Sequence, residues 1–160
     1  MGEPGDLRDG VFVIVQYTFR DWLLLVKHNY GERLWSLPGG GVRQGEIVTQ
    51  AARRELFEET GIDRVKCLRQ IGQFTLIKRY GLVDLFEARD WAGSIGVDGN
   101  EISRWGFFSF AEIDKLKENE QIYRAQFKLV KIFQQYPDYP RPVYGRLTDP
   151  PILKFEEEES

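Results

Sequence analysis

One stretch constrains this chain more than any other: Gly40 to Ile62, GGVRQGEIVTQAARRELFEETGI, sets a glycine, four glutamates, an arginine and a closing glycine at fixed intervals. By position it is Gly40, five residues, Glu46, seven residues, then Arg54-Glu55-Leu56-Phe57-Glu58-Glu59-Thr60-Gly61-Ile62. At an ordinary usage of about 7% per residue type, seven such identities coincide at a given start with a probability on the order of 10⁻⁸. From Ile47 to Thr60 most residues are good helix formers with no proline or glycine among them, and Gly61 stands where a helix commonly closes in a left-handed cap. On that helix Glu55, Glu58 and Glu59 fall at i, i+3 and i+4, so three carboxylates converge on one patch. Their repulsion is relieved once a hard divalent cation binds among the oxygens. Val48, Ala52 and Leu56 recur every four residues beside them and should seat the helix on a sheet.

The rest of the chain alternates strand-like and helix-like segments. Val11 to Tyr17 and Trp22 to Lys27 read as two strands around a turn at Thr18 to Asp21, and their unbroken apolarity predicts burial on both faces. Val65 to Ile77, Tyr80 to Arg89 and Ile102 to Phe108 read as three more, with Arg79-Tyr80-Gly81 a turn between the first two. Ser109 followed by Glu112 is a capping-box signal that opens a short helix to about Lys117. A longer helix from Gln121 to about Gln135 carries Ile122, Ala125, Leu129, Val130 and Phe133 at roughly helical spacing. Residues 1–9 read as a loose polar arm. Five of the seven prolines lie at 137, 140, 142, 150 and 151, which ends helix and suggests a proline- and glutamate-rich tail over 146–160 after one domain spanning 1–145.

Composition narrows the classes of function. A chain of 160 residues with 42% apolar content buries a core of ordinary size in one domain. A net charge of −3 offers no basic track for a long nucleic acid. The longest apolar runs are five residues, far short of the roughly 20 that cross a bilayer, so no membrane partner is expected. With Cys67 alone an intrachain disulfide is excluded, and the first residues lack a basic-then-apolar leader, so a cytoplasmic setting is the default expectation.

The spaced segment resembles the Nudix box, Gly-x5-Glu-x7-Arg-Glu-U-x-Glu-Glu-x-Gly-U with U apolar, and meets every specified position within 23 of the 160 residues. The resemblance implies an α/β/α sandwich around a central mixed β-sheet. It also implies a Mg²⁺- or Mn²⁺-dependent hydrolase that cuts the pyrophosphate bond of a nucleoside diphosphate linked to another group. By the same resemblance Glu58 and Glu59 are metal ligands, Glu55 is a third ligand or the general base, and the loop residues Gly39 and Gly40 supply a backbone carbonyl. Arg54 is expected to hold a box glutamate in place, with Glu46 in support. Glu101, just before a strand, is a candidate loop carboxylate joining the site. Among aromatic residues, Trp35, Phe74, Tyr80 and Trp105 are candidates to stack a base, although such residues commonly serve the core. His28, at a strand end, reads as structural or incidental, and Cys67, within a strand, as a small buried hydrophobe.

Substrate signals are sparse. No SQPWPFP-like string and no coenzyme A motif is present, and proline is missing about 15 residues past the box, where the chain reads Gln73-Phe74-Thr75-Leu76-Ile77. Tyr80, 18 residues beyond Ile62, matches a tyrosine associated with dinucleoside polyphosphate substrates. Three readings stay open: a hydrolase of dinucleoside polyphosphates or (d)NTPs; an enzyme for nucleotide sugars or RNA 5′ ends, with Arg43, Lys78 and Arg79 at the pocket mouth; and a nucleotide sensor without turnover. A homodimer is compatible with each.

Overall fold

A computed structural model describes residues 8–17, 21–76, 80–97 and 99–156. Residues 1–7 of the expected arm, Thr18 to Arg20 of the first turn, Ile77 to Arg79 with the cation Lys78, and residues 157–160 lie outside the described residues. The architecture is a mixed sheet of six strands, a smaller sheet of three, and helices on both faces. The large sheet runs β4 (Gly39–Gly41), β1 (Arg8–Val15), β6 (Tyr80–Ala92), β5 (Arg64–Thr75), β8 (Val143–Arg146), β9 (Ile152–Phe155). β1 pairs with β6, and β5 with β8, in parallel, and the other pairs are antiparallel. The small sheet is β3 (Trp35–Ser36), β2 (Trp22–His28), β7 (Ile102–Ser109).

The unbroken apolar run of β1 is buried on both faces because its alternate residues serve two cores. Val11, Val13 and Val15 face α1 (Val48–Thr60) and meet Ala51, Ala52 and Leu56. Phe12 and Ile14 point the other way, into a core shared with α2 (Phe110–Glu118) and α3 (Arg124–Gln135), which contribute Ile113, Leu129, Val130, Ile132 and Phe133. The every-fourth-residue stripe Val48, Ala52, Leu56 is therefore the surface that fixes α1 to the sheet, with Glu55 and Glu59 turned toward its edge strand β4. Gly61 closes α1 at φ 82°, and its N–H donates to Phe57 O at 2.9 Å. Ser109 and Glu112 cap α2 reciprocally, as the spacing predicts.

Four features depart from the linear reading, the first being that Cys67, expected as a small buried hydrophobe, is exposed on β5. α3 begins at Arg124 rather than Gln121, because β3 uses the intervening backbone: Trp35 N–H donates to Gln121 O and Tyr123 N–H to Trp35 O. Arg8 and Asp9 are strand rather than arm, and Asp9 is tied down by Leu82 N–H and Val42 N–H. The segment set apart as a tail is folded through Glu156: β8 and β9 form a hairpin on the edge of β5, and Leu147 is 7% exposed in the core. The prolines at 137, 140, 142, 150 and 151 lie outside both strands, where a missing N–H costs no ladder bond. No helix among the described residues is long and apolar enough to cross a membrane. Leu56 is fully buried under α1, so Leu56→Ala is expected to cost about 2–5 kcal/mol, read as a lowered urea midpoint at unchanged slope.

Candidate active site

The spaced carboxylates and the glycines meet where α1 passes the edge strand β4. The expected glycine loop is in fact this short strand, paired Val11 to Gly40 and Phe12 to Gly39. Absent side chains are what allow the approach. A Cβ on Gly39 would stand 2.1 Å from Val11 O, and one on Gly40 would stand 2.7 Å from Glu55 Oε1. The backbone of β4 therefore lies directly against the carboxylates, and Gly39 N–H donates to Glu59 Oε1 at 2.7 Å.

Arg54 ties the loop, the strand and the helix together. Its Nε and Nη2 grip Glu46 at 2.8 and 3.0 Å, a two-pronged contact, and Nη2 also donates to Gly41 O at 2.9 Å. Nη1 reaches Glu55 Oε1 at 3.0 Å and Glu58 Oε2 at 3.2 Å. The Arg54 hydrogen bond and the Arg43 N–H pull Glu46 down to about 2. Burial instead pushes Glu59 up to about 8, only partly opposed by the Gly39 N–H, while the charges of Glu55, Glu101 and Glu58 push it further. Glu55 is raised mainly by burial too, against the Arg54 contact.

The charge of Glu101, from the loop before β7, acts in the same sense on both Glu55 and Glu59. Asn29 holds that loop: its N–H donates to Glu101 O at 2.8 Å, and its side-chain amide to Gly99 O and Asn100 O, each at 3.2 Å. Among the described residues no three carboxylate, imidazole or thiol groups stand together closely enough to hold a metal ion. By chemistry the donors nonetheless suit one. Glu55, Glu58, Glu59 and the β4 carbonyls are all hard oxygen, and an incoming divalent cation would offset the burial of two charged carboxylates.

A cleft of about 500 Å³ opens from Gly39 and Gly40. Its floor crosses the large sheet in strand order: Gly39 and Gly40 of β4, Phe12 of β1, Tyr80 of β6, Leu76 after β5, Leu147 after β8. α3 and the residue before it supply a wall with Tyr123, Arg124, Gln126 and Lys128, and His28 and Tyr30 close one side. His28 Nε2 hydrogen-bonds the Ser36 hydroxyl at 3.0 Å, and that hydroxyl also lies 2.9 Å from Leu37 O. The imidazole so oriented stacks on Tyr30, centroids 5.0 Å apart and planes 15° apart.

The expected aromatic stackers separate. Tyr80 lines the cleft; Trp35, 8% exposed, is core, its ring edge-on to Phe108 at 4.8 Å; Phe74 is fully buried. Trp105 is on the surface of β7, away from the cleft lining. Arg43 sits at the exposed border, 3.5 Å from Glu58, and lines with Arg8 a second groove of about 440 Å³. Linear reading missed His28, Tyr30, Tyr123, Lys128 and Leu147 to Asp149 as cleft residues. They share no spacing, and only the folding of β2, α3 and β8 gathers them.

Gly40→Ala is expected to displace Glu55 and lower turnover at least about tenfold while shifting the unfolding midpoint little, because a flexible carboxylate yields more readily than backbone. Arg54→Lys loses the two-pronged grip on Glu46; a drop of about 1–3 kcal/mol in unfolding free energy, measured in urea, is expected.

Known proteins resemble this chain at both levels. The NUDIX domain family model matches residues 6–130. The RNA pyrophosphohydrolase of Bartonella clarridgeiae is 58% identical over 64 residues, covering 36% of this chain and 37% of its own. The oxidized purine nucleoside triphosphate hydrolase of Danio rerio is 34% identical over 108 residues, 65% of each chain. The chain thus spans between about one third and two thirds of the length of these curated relatives. The crystal structure of a C. elegans Ap4A hydrolase binary complex superposes with a TM-score of 0.62 at 22% identity, over 81% of this chain and 96% of that one. At that identity the likeness is one of fold.

Proposed function

Because the chain belongs to the Nudix family, we propose that it is a divalent-metal-dependent pyrophosphohydrolase that cleaves a phosphoanhydride bond in a (d)NTP or a dinucleoside polyphosphate. The observation that carries this is the aromatic cleft of about 500 Å³ that begins at Gly39 and Gly40 and lies within the size range of small-molecule sites. It fits a nucleoside on its tyrosines with the phosphates directed at the β4 backbone. The relative from Danio rerio, named for nucleoside triphosphates, aligns over the larger share of both chains.

Glu55, Glu58 and Glu59, with the carbonyls of Gly39 and Gly40, would hold Mg²⁺ or Mn²⁺. When bound, such an ion neutralises the phosphoanhydride and acidifies the attacking water. The chain's own groups do the remainder. Arg54 fixes Glu55 and Glu58 through one carboxylate oxygen each, and the other oxygen of Glu58 lies 3.5 Å from the exposed Arg43. Glu59, packed against Gly39, keeps the deepest carboxylate at the bond to be broken. Glu55 or Glu101 takes the proton from the water, a reading supported by the electrostatic influence of Glu101 on Glu55 and Glu59. Tyr80 and Tyr30 supply apolar area to the nucleoside, and Arg43 a cation to the phosphates at the rim.

A second reading, hydrolysis at an RNA 5′ end, is favoured by the groove that Arg8 and Arg43 share beside the carboxylates and by the name of the Bartonella relative. One panel separates the readings: nucleoside triphosphates, diadenosine tetraphosphate, a nucleotide sugar and a 5′-triphosphorylated oligoribonucleotide, each with Mg²⁺ or Mn²⁺ in heavy-oxygen water to mark the phosphorus attacked. Turnover is expected on the triphosphates or the dinucleotide and is expected to vanish with a chelator. Nucleotide binding without turnover on any of them would point instead to a sensor. Glu58→Gln and Glu59→Gln should each reduce kcat at least ~10²-fold with the circular-dichroism spectrum retained; near-normal kcat would remove them from the metal site.

A further inference from the structure

Beyond residue 130, where the family match ends, the chain still builds part of the cleft. Leu147 N–H continues the β5 to β8 pairing by donating to Thr75 O at 3.1 Å, and the next two residues, Thr148 and Asp149, run along the cleft. Lys128, its side chain 16% exposed, donates to Leu147 O at 3.1 Å and to Asp149 Oδ1 at 3.0 Å. A mostly covered ammonium thus devotes two donors to one three-residue segment, fixing it against α3. The same contact holds the Asp149 carboxyl below its usual range, and the charges of Arg124 and Lys117 act in the same sense.

The sheet says which end of a substrate meets this segment. β4 and β8 are four strand spacings apart in the sheet order, which at about 4.8 Å each separates them by on the order of 19 Å. With the phosphates at Gly39 and Gly40, only the far end of the nucleotide reaches Leu147 to Asp149. The side-chain groups of Thr148 and Asp149 are acceptors there. Thr148 Oγ1 spends its proton on Pro150 O at 2.9 Å, and the Asp149 side chain remains 76% exposed with its Oδ2 outside the ion pair.

We propose that Thr148 and Asp149 form the base-selective wall of the cleft, accepting from the exocyclic amine of adenine, guanine or cytosine, and that Lys128 is the positioning residue that holds this wall in place. This rests on reading the cleft as the nucleotide site. The wall touches the end of the ligand remote from the bond cleaved, so it governs how tightly and which nucleotide is held. Uracil and thymine, which lack the amine, gain nothing from it.

The test compares ATP with UTP on the full chain, by steady-state kinetics with Mg²⁺ and by calorimetric titration of non-hydrolysable analogues of both. Wild type should favour the adenine nucleotide in KM and in Kd by about tenfold, a modest value for a rim hydrogen bond. Asp149→Ala and Lys128→Met should each erase that preference by raising the ATP values about tenfold, with UTP values and both kcat values within about twofold, and Lys128→Arg should recover most of it. The Asp149 side chain is exposed, so that arm stands even if Lys128→Met unfolds. Equal losses for ATP and UTP, a fall confined to kcat, or no base preference in wild type would each overturn the proposal. Absence of turnover on every nucleotide would overturn the hydrolase reading alone, because the calorimetric preference and its loss in Asp149→Ala still decide the wall.

Discussion

Everything at the site depends on one guanidinium. Glu46, Glu55 and Glu58 come from a loop and a helix, and three carboxylates that near would repel. Arg54 lies among them, grips Glu46 with two nitrogens, reaches Glu55 and Glu58 with a third, and takes the Gly41 carbonyl as well. A planar fork with five donors can do this, and a lysine ammonium cannot match it. The contacts set the distance between α1 and β4, so the geometry of the acidic pocket and the pairing of the edge strand form one structure. Glu59 is the exception: burial raises its proton affinity, and the single backbone N–H that reaches it, from Gly39, opposes this only in part.

The large sheet then acts as a ruler. α1 and β4 put acid chemistry at one edge, and successive strands carry the cleft floor away from it through Phe12, Tyr80 and Leu76 to Leu147. Because successive β1 residues alternate between the α1 core and the α3 core, a change in strand register would move the carboxylate edge and the cleft floor together. On the proposed reading, position along the sheet separates bond cleavage from nucleoside recognition, and the C-terminal hairpin serves only the second.

Local signals in the sequence were legible where one segment contains all of the information. The α1 span, its Gly61 cap, the Ser109 capping box and the double burial of β1 all follow from residues within a turn or a strand of each other. Elements that exist only through distant partners were not. β3 and β4 are two and three residues long and are strands because β2 and β1 pair with them. β8 and β9, lying amid prolines, carry a strand pattern too short to stand out, and they exist because β5 offers an open edge. Trp35 and Trp105 are alike as aromatic residues in strands, yet one is core and the other surface, a difference set by which neighbour covers each ring.

The sequence by itself determined the family, the α/β class and the identity of the acidic helix, because those rest on spacing along a single 23-residue stretch whose geometry a helix supplies without outside help. Tertiary structure alone decided the cleft. Its lining comes from β1, β2, β6, α3 and the connection after β8, residues with no common period, and their nearness is produced by strand order and by the packing of α3 on the sheet. Side chains that meet only across long loops leave no mark in the chain that local periodicity can read.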